Sequence, residues 1–100
     1  MSLVFDFLAA DNVPPVLFCP DNINQEVTSG TLNGAIVTWS QVTASDNSGA
    51  NITPVISDTQ LEPGSFFVFG SYTITYTATD PSGNTNSCFF TVGVGKFSLQ

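Results

Sequence analysis

Two aspartates, Asp46 and Asp80, occupy the same place in a turn that the chain writes twice, as Thr43-Ala44-Ser45-Asp46-Asn47-Ser48-Gly49 and as Thr77-Ala78-Thr79-Asp80-Pro81-Ser82-Gly83. They are the natural pair for carboxylate chemistry, since a glycosidase needs only two acids. Little stands ready to assist them. The sequence has no histidine and no arginine, and Lys96 is its one cationic residue, so a nucleophile would find no general base other than a carboxylate. Each aspartate also sits where an Asx-turn uses the side-chain oxygen to accept a backbone N–H two residues on. The two are therefore read as turn formers, with no catalytic residues expected. Calcium is the more serious rival for these oxygens, because hard cations take carboxylates, amides, hydroxyls and carbonyls. The Asp46-Asn47-Ser48-Gly49 loop lacks the acidic density and the distant glutamate of an EF-hand, so neither a metal site nor a cofactor is expected.

Cys19 and Cys88 form an even pair without a CxxC spacing, and the absence of histidine leaves a zinc site short of ligands. A structural disulfide is the better reading, and two buried free thiols are the alternative. A loop that long, once closed, stabilises a fold by roughly 4 kcal/mol in the chain-entropy argument, and the bond requires an oxidising compartment. Asn51-Ile52-Thr53 is the one clear N-glycosylation sequon, which makes Asn51 a candidate surface modification site. The run Phe66-Phe67-Val68-Phe69 is the best candidate for binding. In an extended segment Phe66 faces opposite Phe67 and Phe69, so at least one ring points away from whichever side is buried. Two layers of core at a sandwich corner are the first reading of this run; if it binds, Phe67 and Phe69 are the candidate partner-binding surface, able to dock a protein or stack on a sugar.

One hundred residues describe a single domain, and a formal charge of −7 argues against nucleic acid, whose binding rests on several Lys or Arg side chains. The same repulsion disfavours an anionic membrane surface. Leu3-Val4-Phe5 and Phe7-Leu8 are too short for a membrane span and lack the basic flank of a signal peptide. Residues 1–10 are read as an added start or the end of a preceding module, 11–95 as the domain and 96–100 as a tail. Phe5 and Phe7 are expected to pack near Pro14-Pro15 or against a neighbour.

The elements that must position these residues are short strands. Asp11-Asn12-Val13-Pro14-Pro15 is a stiff connector, because each proline fixes φ. Val16-Leu17-Phe18-Cys19 follows as a first strand. After a polar bend at Ser29-Gly30 and a turn signal at Asn33-Gly34, Ala35 to Trp39 reads as the next strand, with Trp39 as a plug between sheets. Ile52 to Ser57 is an edge strand, since Pro54 cannot donate to a central ladder. Tyr72 to Asp80 alternates cleanly: Tyr72, Ile74, Tyr76 and Ala78 face one way and four threonines the other. Pro81-Ser82-Gly83-Asn84 returns the chain into a hairpin, where Cys88, Phe90, Val92 and Val94 share a face. No helical stripe is present, and the spacing of strands and turns predicts a β-sandwich.

Several of these signals occur together in a recognisable order. Asp11-x-x-Pro14-Pro15-Val16, Cys19-Pro20, Val37-Thr38-Trp39, Ala44-Ser45-Asp46-Asn47-Ser48-Gly49, Pro63-Gly64-Ser65 and Tyr76-Thr77-Ala78-Thr79-Asp80-x-Ser82-Gly83-Asn84, followed by Ser87-Cys88-x-Phe90, resemble the hyalin repeat (HYR) family from about Asp11 to Val94. The resemblance implies an all-β, immunoglobulin-like or fibronectin-III-like two-sheet antiparallel β-sandwich that is extracellular, often tandem, and associated with adhesion and matrix. The chain departs from the family at Phe67-Val68-Phe69-Gly70, where Phe-Pro-Val-Gly is common. Tyr72 falls where a tyrosine corner bonds its hydroxyl to nearby backbone; a half-buried strand tyrosine is the alternative.

The function expected is a noncatalytic extracellular module, one repeat of a larger surface or matrix protein. Its partners would be proteins or neighbouring repeats, and its work spacing and contact. The alternative is a carbohydrate-binding or accessory domain of a secreted multi-domain enzyme, with Phe67 or Phe69 as the platform for a glycan. A calcium-dependent linker is the third reading.

Overall fold

The computed structural model describes residues 12–28 and 32–96. The expectations for Ser29-Gly30, for Phe5 and Phe7, and for the segments 1–10 and 97–100 lie outside the described residues. Eight strands follow in order: β1 (Val16–Phe18), β2 (Ile23–Val27), β3 (Gly34–Val37), β4 (Thr43–Ser45), β5 (Val55–Ile56), β6 (Ser65–Val68), β7 (Gly70–Thr79) and β8 (Thr85–Lys96). A short 3-10 turn at Thr59–Leu61 precedes β6 and is capped by Asp58, whose Oδ1 accepts the Gln60 N–H.

The long hairpin β7–β8 dominates the molecule, pairing antiparallel from Gly70↔Val94 to Thr79↔Thr85. It forms the centre of a four-stranded sheet in the order β2-β8-β7-β5. The edge strand expected from Ile52 to Ser57 is shorter, Val55–Ile56, because Pro54 stops it and Ile52 bridges Ala44 instead. Opposite lie two smaller pairs, β3 with β6 and β1 with β4, both antiparallel. One pairing runs the other way, for β2 lies parallel to β8 from Ile23↔Val92 to Val27↔Lys96. Asn22 helps set that register, since its Oδ1 accepts the Thr91 N–H at 2.9 Å just before β2 begins.

The core fills the space between the layers. Ile74, Tyr76, Phe90, Val92 and Val94 come from the hairpin and meet Val37 and Phe67 from β3 and β6. The alternation of β7 holds, with Ile74, Tyr76 and Ala78 buried and Thr73 and Thr79 exposed. Trp39 closes the packing beyond the end of β3. Its ring meets Phe90 edge-on at 5.2 Å and Phe67 at 6.2 Å, and its Nε1–H donates to the Tyr76 hydroxyl at 3.0 Å. Such edge-to-face contacts add to the burial of large rings, and the indole N–H is satisfied inside the sandwich.

Gly34 corrects the turn expected at Asn33-Gly34. It is the first residue of β3, buried and without a positive φ, and a Cβ there would run into the backbone of Phe67 and Val68. Close approach of two strands demands this glycine, whereas turn glycines at positive φ are Gly49 at 80°, Gly64 at 91° and Gly83 at 90°.

Candidate functional site

The two repeated turns and the proline connector meet at one end of the sandwich. Val16 pairs with Ser45, so the connector leading into β1 runs past the Asp46 turn. Asn86 of β8 donates from Nδ2 to the Pro15 carbonyl at 2.9 Å, which ties the same connector beside the Asp80 turn. Just inside this end, Cys19 and Cys88 are joined in a disulfide with Cα atoms 6.0 Å apart across 69 residues of chain. The bridge fastens the exit of β1 to the middle of the hairpin.

Both aspartates build the turns foreseen for them. Asp46 accepts the Ser48 N–H at 3.2 Å and the Ser48 hydroxyl through Oδ2, and its carbonyl accepts the Gly49 N–H at 3.0 Å. Asp46 Oδ1 is buried without a hydrogen-bond partner. Asp80 is more deeply held: Oδ1 accepts the N–H groups of Ser82 at 3.0 Å and Asn84 at 2.8 Å, while Oδ2 accepts Asn84 Nδ2 at 3.0 Å. Burial raises its pKa, but the side-chain and backbone bonds from Asn84, then the Ser82 N–H, outweigh that and hold it below the ordinary 3.8. A carboxylate so occupied is a structural acceptor rather than a base in waiting. Among the described residues no group of three or more His, Cys, Asp or Glu side chains converges on a metal position.

The aromatic run divides by register. Phe67 is 1% exposed and packs edge-on against Trp39 and Tyr72, which corrects its place in the candidate partner surface: its ring is core. Phe69 is 39% exposed. The ring that the alternation sends outward is Phe66, 52% exposed, opposite Ile36 in the β3–β6 pair. Together with Val68 and Leu32, these side chains make an apolar outer face that the aromatic count alone did not single out. The signal was present in the period of two along both strands, Gly34 to Val37 and Ser65 to Val68.

Tyr72 forms the corner. Its hydroxyl donates to the Val68 carbonyl at 2.6 Å, four residues upstream, while its ring lies 5.0 Å from Phe67. Between them the chain leaves one layer for the other, β6 pairing with β3 and β7 with β8, and Gly70 takes φ 151° at the crossing. Asn51 is exposed in the loop before Ile52, whose bridge to Ala44 is its nearest ladder contact.

The sequence aligns with known proteins over most of this body. The HYR domain family matches residues 10–94. Hyalin of Lytechinus variegatus is 40% identical over 85 residues, covering 84% of this chain and 15% of that protein. Hyalin of Strongylocentrotus purpuratus is 38% identical over 94 residues, 93% of this chain and 8% of its own length. A sushi, von Willebrand factor type A, EGF and pentraxin domain-containing protein 1 of Rattus norvegicus is 41% identical over 80 residues, 80% of this chain and 2% of that protein. The chain thus spans a small fraction of the relatives it matches. No solved structure matches it. With the paired turns, the Cys19–Cys88 bridge and Trp39 in the places the motif order requires, the chain belongs to the HYR domain family.

Proposed function

We propose that this domain is a noncatalytic extracellular repeat module that spaces its neighbours and offers surfaces for protein contact within a larger adhesion or matrix protein. One observation carries the reading: the chain enters and leaves at opposite ends. Pro15 is bound to Asn86 near the start of β8, and β8 then runs without interruption to Lys96. Ten residues of strand correspond to roughly 33 Å, so successive modules joined at these points extend in line rather than fold back. The disulfide supports the same reading, because it belongs to an oxidising compartment and keeps β1 from peeling off the hairpin under tension. The prolines of the connector limit its hinge freedom.

Small-angle scattering from two copies joined through residues 11–15 tests the proposal. An extended pair, each copy adding about 30 Å along the long axis, is the expected result. A side-by-side pair would overturn the spacing role. Saturable binding on a glycan array, lost on Phe69→Ala, would favour a carbohydrate-recognition role in its place.

A further inference from the structure

We infer that the free edge of β6 is a strand-addition site for an extended, basic segment of a partner protein carrying alternating apolar side chains. The inference deepens the contact role proposed above and rests on that reading. In the described residues β6 pairs with β3 alone, so its other edge carries no strand. Hydrogen-bond alternation says which groups face outward. The Phe69 N–H donates to the Asn33 carbonyl, which makes Val68↔Gly34 and Phe66↔Ile36 the non-hydrogen-bonded pairs of the ladder. The N–H and C=O of Phe66 and Val68 therefore point away from β3. The Tyr72 hydroxyl on the Val68 carbonyl confirms that direction and fills that one acceptor. Left over are the Phe66 N–H, the Phe66 C=O and the Val68 N–H, in the spacing that an incoming strand uses.

Side chains beside this edge suit the same occupant. Phe66 and Val68, both about half exposed, project on the outer face with Ile36 at 68% exposed, and β6 itself carries neither the lysine nor the proline that often protects an open strand. Charge then selects among occupants. Asp58 and Glu62 flank the start of β6 through the 3-10 turn, the Glu62 carbonyl accepting the Ser65 N–H, and no cation lies in that segment. A second copy would bring another formal charge of −7 to the interface, whereas a lysine- or arginine-bearing strand is attracted to it.

The test uses a labelled peptide of alternating valine and lysine as probe, with its valine–glutamate counterpart as control. Fluorescence polarisation should show saturable binding of the basic peptide, and hydrogen exchange should show new protection at the Phe66 and Val68 amides. Val68→Pro should weaken binding at least about tenfold, since it removes an outward donor and places a ring in the approach path while leaving the bonds to β3 intact. Phe66→Thr, which keeps the backbone, should weaken it by about fivefold and covers the case in which the proline variant is unstable. Wild-type affinity for the basic peptide in both variants, or protection confined to other amides, would overturn the inference. So would wild-type dimerisation in sedimentation that Val68→Pro abolishes, because the occupant would then be a second copy. An extended tandem in the scattering experiment together with failed peptide binding would sink this inference alone.

Discussion

Asp80 joins burial and charge in one side chain, and its surroundings decide how the domain responds to acid. Three donors converge on its carboxylate, so the folded state keeps it ionised below the ordinary value of 3.8. Its stabilising contribution is present above that ordinary value and is lost as pH falls toward the lower folded value, because the unfolded chain takes up the proton first. Urea melts across pH should therefore show the wild type losing stability below about pH 4 more steeply than Asp80→Asn. Parallel pH profiles would remove this role from Asp80. At neutral pH the asparagine variant should already be the weaker, since an amide cannot accept all three bonds. Tyr72→Phe probes a different kind of contact: it deletes the 2.6 Å bond to the Val68 carbonyl and retains the ring against Phe67. A loss of about 1 kcal/mol in unfolding free energy, read as a lower denaturant midpoint with the slope unchanged, is expected. Asp80 was legible in the sequence because the turn recurs with its Ser and Gly, whereas for Tyr72 the alternation placed the ring but left the corner and the half-buried strand tyrosine both open until the Val68 carbonyl was located.

At the scale of elements, the strands with a clean period of two were plain in advance, and those set by pairing were not. Tyr72 to Ala78 and Cys88 to Val94 declare their buried faces through side-chain type alone, which makes the hairpin plain in the sequence. The parallel seat of β2 on β8 had no such signal, because Ile23-Asn24-Gln25-Glu26-Val27 buries one valine fully and draws its register from the neighbouring strand and from Asn22. The same blindness affected Phe67, whose direction depends on where β6 ends and the crossing at Gly70 begins. Gly34 shows how a local rule can be overruled by tertiary contact. The Asn-Gly pair suggests a turn, yet a Cβ at position 34 would lie 2.7 Å from the Val68 Cα. Gly34→Ala should accordingly lose about 1–3 kcal/mol by forcing β3 and β6 apart. Gly95→Ala is the control, for nothing lies within 4 Å of a Cβ there, and it should stay within about 0.5 kcal/mol of wild type. Equal thermal midpoints for the two variants would refute the close-approach account.

For the molecule as a whole, stability and length are coupled through the Cys19–Cys88 bridge. A domain of 100 residues buries a modest core, and here that core is drawn from two unequal layers, one of them split into the pairs β1–β4 and β3–β6. The β1–β4 pair is the weaker part, with three residues in each strand and Leu17 and Ala44 only half-buried. Its attachment to the hairpin depends on the disulfide and on the Asn86–Pro15 bond. Replacing both cysteines by serine should therefore lower stability by about 4 kcal/mol, the chain-entropy value for a loop of 69 residues. The denaturant slope should rise as well, because the unfolded chain loses a long-range constraint and exposes more surface. Hydrogen exchange should then report the change first in β1 and β4, with the centre of β7–β8 the last to open. If the doubly substituted protein melts with the wild type and exchanges uniformly, the bridge adds nothing that packing does not already supply. A pull along the long axis would then be borne by the β2–β8 ladder, which follows β8 to its end at Lys96.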